Sequence, residues 1–218
     1  MGPQVLTNPK EGVIQYQLEF EIDHDIDCPQ FAKLNGWRSY LHRLGLIGQD
    51  PDRYDGLSYG NVSHRAEGDG FVISGTQTGH LPLLCREHYV LVERTDVQHN
   101  YLKARGPIPP SSEALTHAAL YQASDNIHTV IHVHSPLLWQ RASRLNFFTT
   151  PAGVRYGTPE MASAVCALVQ QANQPEGVIA MLGHEDGIVV YGSDAEAAGI
   201  RLLQAVTDAH SFDEHYFK

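Results

Sequence analysis

Two histidines one residue apart, His132-Val133-His134, end the β-branched run Ile127–His134. In an extended strand alternate side chains share a face, so both imidazoles project the same way, near enough to bind one ion at about 2.0–2.1 Å each. Val133 points into the opposite layer. A bare His-x-His equally suits two unrelated histidines on a solvated strand face, and the chain's 13 histidines decide nothing by number alone. Support comes from His184, in Met181-Leu182-Gly183-His184-Glu185-Asp186-Gly187, where one apolar run turns toward another and ligands commonly converge. Three histidines on a β scaffold match a catalytic metal site, which uses three protein ligands and keeps a position open. Glu185 and Asp186 read either as turn residues or as groups that orient a histidine.

A carboxylate and a set of small polar segments accompany the trio. The stiff connector Pro107-Ile108-Pro109-Pro110 leads into a helix expected over Ser111–Ala123, with Ser111 as N-cap and Glu113 in the first turn. Ser58-Tyr59-Gly60-Asn61-Val62-Ser63, Ser74-Gly75-Thr76-Gln77-Thr78-Gly79 and Ser111-Ser112 combine glycine, which lets backbone N–H groups approach an anion, with hydroxyl donors. Such segments either cradle a phosphate or carboxylate or make ordinary turns.

The elements that must position these groups follow from periodicity. Val13–Ile22 alternates, with Ile14, Tyr16, Leu18, Phe20 and Ile22 on one side, as in a half-buried edge strand. Pro29 opens a helix with Phe31, Leu34, Trp37, Leu41 and Leu44 on one face. Short runs at Asn61–Arg65, Phe71–Ser74, Tyr89–Glu93 and Val97–Ala104 suggest an antiparallel meander. Helices are expected at Pro136–Arg144, at Pro159–Ala172 behind the cap Thr158, and from a capping box at Ser193-Asp194-Ala195-Glu196 to about Ala209. Strands at Gly177–Leu182 and Gly187–Tyr191 complete a mixed sheet with helices on both faces.

The totals exclude several classes. At 218 residues, 42% hydrophobic and 18% charged, the chain suits one compact domain. A net charge of -10 with only 15 Lys and Arg argues against nucleic acid as the partner. No apolar stretch approaches the roughly 20 residues a membrane span needs, and Met1-Gly2-Pro3-Gln4 opens no secretory signal, so a cytoplasmic location is expected. Cys28, Cys85 and Cys166 lack metal-type spacing and read as buried reduced thiols.

Taken in order, Gly60-Asn61-Val62-Ser63, Thr78-Gly79, Pro110-Ser111-Ser112-Glu113, His132-Val133-His134-Ser135 and Gly183-His184 resemble the class II aldolase/adducin family, over about Trp37 to Ala209. The resemblance implies a three-layer α/β/α sandwich around a mixed, mostly antiparallel sheet, in a domain spanning 29–218 behind an N-terminal strand extension, 1–28. It implies His132, His134 and His184 as ligands of zinc or of another divalent metal such as manganese, iron or cobalt. Glu113 would be a displaceable ligand or the acid/base, and Asn61, Thr78, Gly79, Ser111 and Ser112 would hold the substrate's phosphate or carboxylate. Activity would be a lyase cleaving a carbon–carbon bond of a sugar or sugar phosphate by retro-aldol chemistry, because a metal chelating adjacent hydroxyl and carbonyl oxygens stabilises an ene-diolate. Family relatives include epimerases, dehydratases and decarboxylases, and the non-catalytic adducin head. A homotetramer with active sites between subunits is the family's usual assembly. Two departures mark a divergent branch: the segment Asn146–Gly157, which carries a catalytic tyrosine in the phosphate aldolases, is short, and Glu185 and Asp186 separate His184 from the next glycine. Tyr156 and Tyr216 are tyrosine candidates on chemistry, with simple packing as the alternative.

Overall fold

The computed structural model describes residues 13–24, 26–28 and 30–212. Pro29, the first twelve residues of the N-terminal extension and Tyr216 lie outside the described residues. The strands are β1 (Gln17–Ile22), β2 (Gly48–Gln49), β3 (Ser58–Tyr59), β4 (Asn61–Arg65), β5 (Phe71–Ser74), β6 (Tyr89–Asp96), β7 (Tyr101–Gly106), β8 (Thr129–His134), β9 (Phe148–Thr149), β10 (Gly177–Ala180) and β11 (Gly187–Gly192). The helices are α1 (Phe31–Arg43), α2 (Ala114–Ala123), α3 (Pro136–Gln140), α4 (Pro159–Ala172) and α5 (Ala195–Ser211).

Among the described residues nine strands form one sheet in the order β1-β7-β6-β5-β4-β8-β11-β10-β9. Its pairs are antiparallel except the two outermost, β1 with β7 and β9 with β10, so the sheet is mixed and mostly antiparallel as expected. Two apolar layers flank it. Leu115, Leu120, Met161, Val165 and Val169 of α2 and α4 close on one face with Ile73, Val130, Ile179 and Val189. Leu34, Leu41, Leu138, Leu202 and Ala205 of α1, α3 and α5 close on the other with Val62, Ile131, Val133 and Ile188. This is the α/β/α sandwich, and β8, buried along its whole length, is central in it.

Local details depart from the sequence reading for identifiable reasons. Glu113, not Ser111, is the residue that caps α2, because Ser111 sits earlier in the turn, its carbonyl accepting from Ala114 N–H and its hydroxyl oxygen from Glu113 N–H. The last helix is capped by Asp194 through Ala197 N–H at 2.8 Å, which displaces the Ser193 capping box by one residue. Residues 97–100 make a tight turn ending in left-handed Asn100 (φ 53°), so β7 starts only at Tyr101. Helix α3 stops at Gln140 and gives way to turns that end in left-handed Asn146 (φ 54°). Of the expected buried thiols only Cys28 is buried; Cys85 lies exposed beside His88 Nδ1 at 3.0 Å and Cys166 is half-buried. Val13–Ile22 shortens to β1, a sheet edge with the expected alternation up to Ile22, which is exposed.

Candidate metal centre

Strand β8 delivers the His-x-His pair as its pleat requires. Val130, His132 and His134 face α2 and α4, while Ile131 and Val133 face α1, α3 and α5. Register aligns Asn61 of β4 with His132, and Val189 and Gly187 of β11 with His132 and His134. His184 arrives from the loop between β10 and β11, a compact turn in which His184 N–H donates to Met181 O and Gly187 N–H to His184 O. Asp186 occupies the left-handed region there (φ 60°), and its carbonyl accepts from Ser135 N–H at 2.8 Å, locking the turn to the end of β8. Two glycines fit this turn closely: a Cβ on Gly183 would lie 1.6 Å from Val154 O, and one on Gly187 would press the His184 ring at 3.0 Å.

The three imidazoles converge. One nitrogen from each lies within 4.8 Å of the others, and ring centroids are 4.7–5.0 Å apart. All three residues are buried. Burial, followed by neighbouring histidine charge, holds His132 and His134 well below the ordinary imidazole range, which keeps them neutral and fit to donate a lone pair. His132 Nδ1 lies 3.1 Å from Ile188 O; that contact requires the proton on Nδ1, leaving Nε2, which is buried and has no hydrogen-bond partner, as the electron-pair donor. Neutral His132 and His134 gathered with the His184 ring, one unmet buried nitrogen among them, fit a divalent ion.

Glu113, 1% exposed, brings Oε1 to 3.9 Å from His184 Nδ1, while Oε2 accepts the Thr116 hydroxyl at 2.8 Å. The N-cap position of α2, rather than its first turn, thus sets a carboxylate beside the trio. One helical turn on, His117 stands against β4, its Nδ1 2.7 Å from Ser63 Oγ, and burial lowers its pKa to about 3.

The expected anion-holding residues also meet. Asn61, Thr78, Gly79, Ser111 and Ser112 line one small polar pocket with Ser58, Gly60, Gly75, Thr76 and Gln77. Thr78 hydroxyl donates to Gly75 O at 2.9 Å and Gly79 N–H to Ser58 Oγ at 3.1 Å, so these two hold the turn's shape. Buried Arg38 braces it from behind through the Thr78 and Leu81 carbonyls. A larger surface cavity, lined by Arg65, Asp69, Glu93, Arg94 and Asp125, contains none of the trio and lies apart from this chemistry.

Two neighbours, Tyr54 and Thr116, escaped the sequence reading, while a third, Tyr156, was a candidate on chemistry alone. Tyr54 packs edge-on to His134 at 4.5 Å and donates its hydroxyl to Asp186 Oδ2 at 2.7 Å, with the Arg53 guanidinium over its ring at 4.8 Å. Asp186 therefore acts on Tyr54 rather than on a histidine ring, and Glu185 is exposed. Thr116, at the third position from Glu113, carried a capping-type signal that could have found it. Tyr156 stacks on His184, centroids 4.6 Å apart at 22°.

Comparisons with known proteins give the family and the fold. The family model "Class II Aldolase and Adducin N-terminal domain" matches residues 51–210, and the chain belongs to that family. In fold it is similar to L-fuculose-1-phosphate aldolase from Thermus thermophilus (17% identity, 86% of this chain and 94% of that one, TM-score 0.61). It is similar also to a sugar-phosphate aldolase from Thermotoga maritima (13% identity, 83% and 92%, TM-score 0.65). YgbL from Klebsiella pneumoniae, a candidate aldolase/epimerase/decarboxylase, is a third (17%, 82% and 86%, TM-score 0.60). Identities this low speak to the fold alone. A search of curated protein sequences finds no match. No helix among the described residues is long and apolar enough to cross a membrane.

Proposed function

We propose that this chain is a metal-dependent lyase that cleaves a carbon–carbon bond of a sugar or sugar phosphate by retro-aldol chemistry, with His132, His134 and His184 as the ligands. One observation carries the reading: three buried imidazoles and the Glu113 carboxylate converge beside a polar pocket, in a chain of the class II aldolase and adducin family. A divalent ion such as zinc, manganese, iron or cobalt would supply Lewis-acid polarisation of a substrate oxygen.

The protein's own groups do the rest. The Asn61 amide N–H groups and the hydroxyls of Ser111 and Ser112 would donate to a phosphate or carboxylate in the polar pocket that these residues line. The Thr78-Gly79 turn shapes the wall behind that anion. Glu113, with one oxygen restrained by Thr116, is placed to take the hydroxyl proton whose loss starts the retro-aldol cleavage and to return a proton to the carbon that leaves as an enolate. Burial of the three histidines excludes water from the reacting face.

The same residues suit an epimerase, dehydratase or decarboxylase of sugar-acid phosphates, and only products separate these from a lyase. A scaffold without catalysis, like the adducin head, is the weaker reading because it has no use for an unmet buried His132 Nε2. The family resemblance further supports a cytoplasmic homotetramer with interfacial sites and a 29–218 domain behind the 1–28 extension. The test is a screen of the metal-loaded protein against ketose phosphates and sugar-acid phosphates, with His132→Ala as the blank. Formation of an aldehyde and a shorter ketone from one of them is expected; turnover equal to the blank across the panel would contradict the reading.

A further inference from the structure

Strand β1 precedes every motif discussed so far, yet Gln15 and Tyr16, the two residues leading into it, pack against segments that carry groups of the metal centre. Tyr16 is 5% exposed, and its hydroxyl lies 2.9 Å from Ser111 O and 3.3 Å from Pro110 O. Those carbonyls belong to the segment that carries Ser111 and Ser112 into the polar pocket and Glu113 toward His184. The opposite side of the segment is pinned by the turn at Gly75, which bridges Pro110, and by Thr76 N–H, which donates to Pro109 O at 2.9 Å. Gly75 leaves no slack: a Cβ there would meet Ile108 at 2.2 Å. The segment is therefore held between two clamps, one of which is Tyr16. Burial first, and the nearby Glu113 charge second, raise the Tyr16 pKa, so the phenol stays a donor.

Gln15 touches the other branch of the site. Its Cδ and Nε2 lie 3.4 Å from where a Cβ on Gly157 would sit, and Gly157 follows Tyr156, the ring stacked on His184. Gln15 Nε2 is buried and has no hydrogen-bond partner. The strand is anchored away from the site, where Asn100 Nδ2 donates to Gln15 O at 3.0 Å and Gln17 N–H to Asn100 O at 2.7 Å.

Resting on the metal-centre reading above, we infer that the Gln15–Tyr16 segment ahead of β1 braces that site and that Tyr16 is a positioning residue, holding the Pro110–Glu113 segment so that the Glu113 carboxylate stands beside the three histidines. Tyr16 touches no reacting atom; it acts through Glu113. Gln15 supports the Tyr156 side of the same site.

Cobalt(II) reports the arrangement without any turnover. Wild type, Tyr16→Phe and Glu113→Gln are loaded with cobalt, and the visible d–d spectrum, the cobalt dissociation constant and the melting temperature are recorded. Glu113→Gln should change the spectrum, and Tyr16→Phe should move it in the same direction with one cobalt still bound and the dissociation constant raised about tenfold. A merely structural hydroxyl would lower the melting temperature of Tyr16→Phe and leave spectrum and affinity at wild-type values, which overturns the inference. An unchanged Glu113→Gln spectrum overturns it as well. Should Tyr16→Phe fail to fold, Asn100→Gly, which keeps the left-handed backbone but frees Gln15 O, is read by the same criterion with a smaller expected shift. Wild-type protein that takes up no cobalt fails at the earlier step, the metal reading itself, and the inference falls with it.

Discussion

On one face of β8, Ile131 and Val133 enter the layer closed by α1, α3 and α5; on the other, His132 and His134 enter the layer under α2 and α4. Both pairs are almost wholly buried, from a single run of residues, yet they meet different environments. The aliphatic pair is surrounded by Leu34, Leu41, Leu138 and Leu202 and gains transfer free energy from every methylene. The histidine pair meets polar atoms left unmet among the described residues, His132 Nε2, His117 Nε2 and Asn61 Oδ1, each of which costs stability in a dry interior. A fold retains such a cost where the atoms serve something else. One strand thus separates stability and chemistry by the parity of its residues.

Breaking the chemical side should have the largest effect. Glu113→Gln keeps the side-chain volume and the Thr116 contact but removes the base, so kcat in the identified reaction should fall about 10²–10⁴-fold while one metal per chain is retained. Steady-state kinetics with metal analysis checks this, and a loss under tenfold would assign the proton transfer elsewhere. On the aliphatic side, Ile131→Ala should destabilise the fold by about 2–5 kcal/mol in urea unfolding and leave metal stoichiometry unchanged. Equal disruption of metal binding would show that the two faces are not separable.

Proton uptake sharpens the comparison further. Burial lowers His117 to about 3 and holds His132 and His134 well below the ordinary 6.5. In the metal-free protein these rings stay neutral when folded but take up protons once unfolded. Stability present above pH 6.5 is therefore lost as pH falls from 6.5 toward 3, by about 1.4 kcal/mol per pH unit for His117, with His132 and His134 adding loss in the same direction. Urea midpoints of metal-free protein at several pH values should show this slope, and His117→Gln should make it shallower by one histidine's share. An unchanged slope in that variant would mean that His117 is not buried neutral.

How much of this was legible beforehand depends on the range of the signal. The parity of β8 was readable because a pleat converts adjacent positions into opposite faces. Thr158 and Pro159 marked the start of α4 by local chemistry alone, and the helix begins at Pro159 as read. Glu113 was readable as a residue at a helix start, but not its 3.9 Å approach to His184, which is distant in sequence and placed by strand order. Pairing of β4 and β11 with β8 is a tertiary outcome that no local period encodes. Tyr54 escaped notice because it sits in a left-handed turn (φ 51°) with no periodicity, and its meaning comes from Asp186 across the fold. Tyr16 was visible only as one apolar position of an alternating strand; the polar end of its ring is what reaches the site.

The most direct test of the central claim is a metal titration of the purified, chelator-stripped protein with zinc, manganese, iron(II) and cobalt, read by calorimetry and by metal analysis after desalting, for wild type and His132→Ala. The account predicts one tightly held divalent ion per wild-type chain and none surviving desalting in His132→Ala. A wild-type chain that binds none of the four metals, or a His132→Ala chain that binds as tightly as wild type, would contradict it.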